Sequence, residues 1–324
     1  MVKPTDISIV VQGAVTQNTA CVLMTLRKTL PGSEIILSTY EGTNTDGLDY
    51  DKLVLSYDPG AFIQNRKLNV LNNVNRQIVS AIAGLKTVKR DYALKIRSDI
   101  LLESADFLEY FGRYDGRSPP KLFNSRVLVC SSYTRNPRAY PVAYHPSDWI
   151  FFGETKDLTD YFDTELMGYD NALWFDTHKR ESRLFKDNLC RYFPEQWLCI
   201  NFISKHKDIK VKCFYDVSHK NIEQTEEFLA SSTVVLNCRQ WGITFTKYNP
   251  NRYNDEGSLI SFKDWETLYK RYCLKETGIN WVIYRIRGIL KAIDYGFLRP
   301  TFALCLGRLG IKRWVMRRLT AVGK

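Results

Sequence analysis

Residues 91–102, DYALKIRSDILL, constrain this chain more than any other stretch. Tyr92-Ala93-Leu94-Lys95-Ile96 reads as a short buried strand of the kind found inside an α/β sheet. It runs into Arg97-Ser98-Asp99, after which Ile100, Leu101 and Leu102 resume the apolar pattern. A strand that brings a carboxylate to its own carboxyl end sets one negative charge on the rim of a sheet, where open α/β sheets bind ligands. A single carboxylate there is an oxygen ligand suited to Mg²⁺ or Mn²⁺, ions that complete their coordination with substrate phosphates. Asp99 is the metal candidate on this reading. The alternative is an ordinary strand-end acid that caps a turn or pairs with Arg97.

The flanking sequence repeats the same logic. A buried strand over 6–12 ends at Gly13, a residue that lets the backbone turn sharply beside a ligand. A helix is expected over 18–29, a strand over 34–40 with Glu41 at its end, and a strand over 52–57 stopped by Asp58-Pro59-Gly60. The spacing of Leu71, Val74, Ile78, Val79 and Ile82 predicts a helix over 68–85. This alternation is that of a mostly parallel α/β sheet flanked by helices. Downstream, strands are expected over 122–131, 148–153 and 210–216. Helical pieces are expected over 157–163 and 170–175, a helix over 193–203, and a helix and a strand within 223–245.

Charge and cysteine usage narrow the class. The 46 Lys and Arg against 35 Asp and Glu give +11, which raises nucleic acid or an anionic membrane as partners. From Trp281 onward ten cations face Asp294 alone, so +9 of that charge sits in the last segment. A nucleic-acid binder would stripe its folded domain with cations, so no nucleic-acid partner is expected. Instead Val282, Ile283, Ile286, Ile289, Leu290 and Ile293 gather on one helical arc edged by Arg285, Arg287 and Lys291. After Pro300 a second basic, apolar segment follows with Trp314. That composition suits a helix lying in the plane of a membrane surface, while a helix docked on the protein's own core is the alternative. The eight cysteines show no zinc spacing and read as reduced thiols. With no signal-like leader and no run long enough to span a bilayer, the expected location is cytoplasmic, peripheral to the inner face of the membrane.

Several pieces taken together resemble one family. Ser8-Ile9-Val10-Val11-Gln12-Gly13, Ser38-Thr39-Tyr40-Glu41-Gly42, Asn75-Arg76-Gln77-Ile78 and Lys95-Ile96-Arg97-Ser98-Asp99 occur in order. His145-Pro146-Ser147-Asp148-Trp149 and Phe152-Gly153 follow. This pattern, over roughly 6–245, resembles the WavE lipopolysaccharide synthesis family of bacterial glycosyltransferases. The resemblance implies a GT-A-like, Rossmann-type fold, a nucleotide-sugar donor such as a UDP-hexose (UDP-galactose among them), and an acceptor that is lipid-linked or a growing polysaccharide of lipopolysaccharide, O-antigen or capsule. A nucleotidyltransferase of similar fold is the runner-up, but no glycine- and lysine-rich phosphate loop stands near residue 13.

Roles follow position by position. Gln12, Gly13 and Glu41 are expected to hold base and ribose. Asn75 and Arg76 precede the metal strand, and Arg76 is expected to reach the diphosphate or fork onto Asp99. Arg97, Ser98, His145 and Gly153 complete the nucleotide-sugar set. Glu195, opening a helix, is expected as the base of an inverting transfer and Asp148 as a ligand of sugar hydroxyls. His219 is a further metal candidate. The expected organisation is a GT-A-like domain over 1–277, split into a nucleotide-binding half at 1–103 and a donor-sugar and acceptor half at 104–277, with the basic amphipathic tail at 278–324.

Overall fold

The computed structural model describes residues 2–116, 119–182, 185, 187–246 and 258–294. In chain order its elements are β1 (Ile7–Gln12), α1 (Thr19–Thr29), β2 (Glu34–Tyr40), β3 (Lys52–Ser56), β4 (Phe62–Asn65), β5 (Val70–Asn72), α2 (Val74–Leu85), β6 (Tyr92–Arg97) and β7 (Ile100–Leu102). There follow β8 (Val127–Cys130), β9 (Ile150–Glu154), α3 (Thr155–Phe162), α4 (Tyr169–Ala172), α5 (Trp174–Thr177), α6 (Pro194–Ser204), α7 (His219–Ser232), β10 (Thr233–Leu236), α8 (Cys238–Trp241), β11 (Ile243–Phe245), α9 (Phe262–Cys273) and α10 (Ile279–Ile293).

Apolar runs without alternation make strands covered on both faces. β1 is buried along its whole length, and β6 along all but its ends. They lie at the middle of a seven-stranded sheet of order β10-β8-β9-β6-β1-β2-β3, parallel except for β9, with helices around it. Gln12 pairs with both Arg97 and Ser38, so β1 and β6 finish level and β2 runs on to Tyr40 at the same rim. β9 runs the other way, pairing Ile150 with Ile96. Its start therefore lies at the rim where its neighbours end, and Asp148 and Trp149 just before it arrive there too.

Three expected elements differ. The helix predicted over 68–85 begins only at Val74; ahead of it the chain forms the hairpin of β4 and β5. Leu71 is exposed rather than part of a buried stripe. Asparagines override the helical spacing here: Asn65 Oδ1 accepts from the Leu68 N–H, Asn72 Oδ1 accepts from the Val74 N–H, and Asn69 takes a left-handed backbone at φ 51°. The strand expected over 122–131 is confined to Val127–Cys130, because the Asn124 and Ser125 amides are taken by the Asp157 carboxylate. Residues 210–216 form no strand. Side chains meet that backbone instead, Tyr192 and Arg191 donating to the Val211 and Lys212 carbonyls and Asp216 accepting from the Lys212 amide. The second tail segment, from Pro300 to Lys324, lies outside the described residues.

α2 carries Arg76 and Gln77 to the rim, and it can lie so low on the sheet because of Gly84. A Cβ there would come 2.4 Å from Val10 Cγ1 and 3.0 Å from Ser38 Cβ. Gly84→Val is expected to lower stability by about 1–3 kcal/mol through overpacking. The check is the midpoint of urea unfolding, which would stay unchanged if α2 did not rest on β1 and β2 at this point.

Candidate functional site

The turn between β6 and β7 is built before any side chain acts on a ligand. The Ser98 amide donates to the Gln12 carbonyl at 3.0 Å, and the Ser98 hydroxyl to the Ala14 carbonyl at 2.6 Å. Thr246 Oγ1 donates to the Asp99 carbonyl at 2.9 Å. Gly13, at φ 118°, lets the chain leave β1 beside this turn, and its position is 3.5 Å from Ser98 Oγ where a Cβ would stand.

Two adjoining cavities open along the rim. The first, of about 440 Å³, runs over the ends of β1, β2 and β6 and is lined by Gln12, Gly13, Thr16, Tyr40, Asp58 and Arg76, with Ser98 and Asp99. The second, of about 480 Å³, is walled by Tyr133, Arg135, Tyr140, Trp149 and Phe193 and carries His145 and Glu195. Asn73, Gln77, Arg97 and Asp148 line both. Those four residues stand where the two chambers adjoin.

The charges in the first chamber are paired. Arg97 grips Asp99 with two bonds, Nε to Oδ1 at 2.9 Å and Nη2 to Oδ2 at 2.7 Å, and its guanidinium lies 5.4 Å from the Trp149 ring. Arg76 forks onto Asp58, with both bonds at 2.7 Å, and holds that carboxylate below its ordinary range. One of the two sequence expectations for Arg76 put this fork at Asp99; the structure gives Asp99 to Arg97, the alternative pairing read from the sequence, and Asp58 to Arg76. Gln12 donates to Ser80 Oγ at 2.8 Å, while its buried Oε1 has no partner. A buried acceptor without a partner costs free energy, and this one belongs to a residue that lines the first chamber.

As a metal anchor, Asp99 has the donor chemistry that suits a hard cation, yet both its oxygens are engaged by Arg97. Among the described residues no group of three His, Cys, Asp or Glu is placed to hold an ion. The arrangement fits a cation that is shared with substrate phosphates, and not one caged by protein alone.

The second chamber contains a buried acid pair in different surroundings. Burial, then the neighbouring Glu195 charge, pushes Asp148 up to about 6, against the pull of Lys95, Arg97 and a hydrogen bond from Gln77. Burial also acts on Glu195, but His145 outweighs it and holds that carboxyl below its usual value. His145 Nε2 stands 3.3 Å from Glu195 Oε2, and its Nδ1 faces the Tyr133 carbonyl at 3.0 Å, so the ring is fixed at both edges. Tyr133 packs on Trp149 with centroids 4.7 Å apart, and the Arg135 guanidinium lies 5.1 Å from the Tyr133 ring and 4.5 Å from that of Tyr140. The Tyr133 backbone, at φ 72°, is in the left-handed region that tyrosine seldom adopts.

Four expected site residues lie elsewhere. Glu41 is exposed beyond the end of β2 and lines neither chamber. Asn75 points away from them, exchanging two hydrogen bonds with the Met167 backbone at 3.0 and 2.7 Å. Gly153 is buried in β9, where a Cβ would press on Leu158 and Val127. His219 is exposed at the start of α7 and pairs with Glu223 at 3.3 Å. Asp58, Asn73, Tyr133, Arg135 and Trp149 were not anticipated. Asp58 had the same strand-end signal as Glu41, Asn73 fell inside the expected helix and Trp149 inside the expected strand, and Tyr133 and Arg135 come from a segment without periodicity.

No curated protein matches the sequence. Among solved structures, HddC from Yersinia pseudotuberculosis is similar at 10% identity and a TM-score of 0.28, over 48% of this chain and 79% of that one. The family comparison reaches much further. A model described as WavE lipopolysaccharide synthesis matches residues 7–294, the same span that holds the sheet, both chambers and α10. The chain belongs to the WavE lipopolysaccharide synthesis family.

Proposed function

We propose that this protein is a glycosyltransferase of lipopolysaccharide synthesis, moving a sugar from a nucleotide donor in the first chamber to a glycan acceptor in the second. The observation that carries this reading is the pair of neighbouring cavities that share Asn73, Gln77, Arg97 and Asp148 as lining. One is polar and lies on the strand ends that suit a nucleotide, and the other has the aromatic walls on which sugar rings stack. Tyr40 and Gln12, both lining this chamber, suit the base and ribose. Arg97 and Arg76 supply the positive charge that a diphosphate requires. A Mg²⁺ or Mn²⁺ ion shared between Asp99 and that diphosphate would add to the neutralisation of the leaving group.

In an inverting transfer, the acceptor hydroxyl loses its proton to a base and its oxygen attacks the anomeric carbon, as the bond from that carbon to the diphosphate oxygen breaks. Asp148 suits the base better than Glu195 does. It lines both chambers, and a carboxyl titrating near neutrality takes a proton more readily than one held low by His145. Glu195 then orients His145 on the acceptor side. This exchanges the two roles expected from sequence.

Screening purified protein against nucleotide sugars, with a lipopolysaccharide-derived glycan as acceptor, tests the reaction itself; no transfer from any donor would count against it. Asp148→Asn is expected to lower turnover by about two orders of magnitude or more, with donor binding little changed. Glu195→Gln is expected to raise the acceptor KM more than it lowers turnover. The opposite split would return the base to Glu195, and a product of retained configuration would leave neither acid as base.

The pH dependence has a definite sign. Asp148 must be ionised to accept a proton, so kcat/KM should fall as pH drops through about 6. Because its folded pKa lies above the ordinary carboxyl value, the same group favours the folded state most at low pH, and that contribution is lost as pH rises through about 6. The acidic limb of the rate profile is the measurement, and its persistence in Asp148→Asn would assign it to another group.

Asp99→Asn is expected to reduce transfer by about tenfold or more and to weaken donor binding, because it frees Arg97 and removes the anchor for a cation. Isothermal titration with the nucleoside diphosphate, with and without Mn²⁺, checks both effects. Equal affinity in both proteins under both conditions would remove Asp99 from the donor site.

A further inference from the structure

The face of α10 turned away from the protein is an unusual surface. Seven of the seventeen exposed large apolar residues among the described residues lie on this one helix: Ile279, Val282, Ile283, Ile286, Ile289, Leu290 and Ile293. Their exposures run from 45% to 71%. At 100° per residue they share an arc of about 120°. The opposite side is the seat. Tyr284 is buried, Gly288 leaves no room for a Cβ against Arg138, and Arg287 pairs with Asp264. The helix therefore docks through a narrow polar and aromatic stripe and leaves its aliphatic side outward. The docked helix expected as the alternative is therefore present, but it is seated on the face opposite the aliphatic arc, which leaves that arc outward.

We infer that this arc is a docking surface for an anionic lipid bilayer, laid in the headgroup plane with its aliphatic side chains at the acyl boundary. Charge selects this occupant. Arg285 flanks one edge of the arc and Lys291 stands beyond the other, and residues 295–324 add seven cations and no acid. A second copy of the chain would bring the same positive charge against itself. A bilayer of anionic lipid meets the apolar arc together with Arg285 and Lys291, which border it.

The seat of the helix is also part of the loop that walls the acceptor chamber. Tyr284 Oη lies 2.9 Å from Glu226 Oε1 and 3.2 Å from Asn136 Oδ1. Glu226, fully buried, takes two bonds from Arg138, at 2.5 and 2.7 Å, and a third from Tyr272 at 2.9 Å. Asn136 and Arg138 belong to residues 131–149, which also supply Tyr133, Arg135, Tyr140, His145 and Asp148 to the chamber. A surface-bound α10 would hold that loop at the membrane, where a lipid-linked acceptor is found.

The test uses the full chain and vesicles, with no sugar present, so its outcome does not depend on the proposed reaction. Protein is sedimented with phosphatidylcholine vesicles and with vesicles of phosphatidylethanolamine and phosphatidylglycerol. Binding is expected to the anionic vesicles, with partial release in high salt as screening shortens the Debye length. Ile286→Asp with Ile289→Asp, both at exposed positions that leave the seat intact, should weaken binding about tenfold or more. Arg285→Glu should weaken it about fivefold or more at low salt. Circular dichroism and the thermal unfolding midpoint should be unchanged in both variants. Wild-type protein that fails to sediment, or sediments equally with both vesicle types, overturns the inference. So does a dimer in light scattering that the isoleucine variants dissolve while vesicle binding is absent.

Discussion

A buried lysine sets the conditions for everything at this rim. Lys95 sits in the middle of β6 with no exposed surface, its Nζ donating to the Asp148 carbonyl at 2.5 Å and lying 5.1 Å from the Phe162 ring. Removing a cation from water is costly unless charges and dipoles answer it. Burial lowers its pKa to about 8, and Asp148 leads the acids that draw it back up. The one hydrogen bond ties the centre of the sheet to the residue just ahead of β9. Asp148 thus has its backbone fixed by Lys95 while its carboxyl is raised by burial and by Glu195. A neutral residue at position 95 would leave the acids of the second chamber facing one another with less to hold them ionised.

Much of this was legible in the order of residue types, and the parts that were not have physical reasons. Strand ends found the rim: Gln12, Gly13, Arg97, Ser98 and Asp99 are where apolar runs stop, and they line one cavity. His145, Asp148 and Glu195 reach the neighbouring one from two different elements. The same rule overreached at Glu41, one residue past the end of β2 and turned to solvent, and missed Asp58 at the next strand. Periodicity could not separate the hairpin of β4 and β5 from the helix after it, since the three-residue spacing of Leu68, Leu71 and Val74 reads as helical until the asparagine side chains are counted. Nor could it see Tyr133 or Arg135, whose placement depends on an irregular loop closed by contacts distant in sequence. Lys95 was the missed clue: a lysine between apolar neighbours such as Leu94 and Ile96 has to be paired or exposed, and a central strand rules out exposure.

The amphipathic helix shows why an apolar arc does not reveal what covers it. Its pattern is equally that of a core helix, and sequence places Tyr284 and Gly288 on its far side without saying that this far side is the buried one. The Glu226 carboxylate decides the matter. It collects Arg138, Tyr272 and Tyr284 from three separate segments, so a polar cluster rather than an aliphatic one became the seat.

The reversed strand has a consequence for how such proteins diversify. Because β9 runs against its neighbours, the connection from β8 to β9 begins and finishes on one side of the sheet, over 131–149. It can therefore lengthen, shorten or change composition without shifting the register of any strand beside it. Gln12, Tyr40 and Arg97 of the first chamber come instead from the ends of β1, β2 and β6, which are locked to one another pair by pair. Asp148, at the end of the connection, is the point where the two halves of the rim meet. Chains sharing this sheet can keep those strand ends and reshape one wall of the second chamber by rewriting the loop ahead of Asp148.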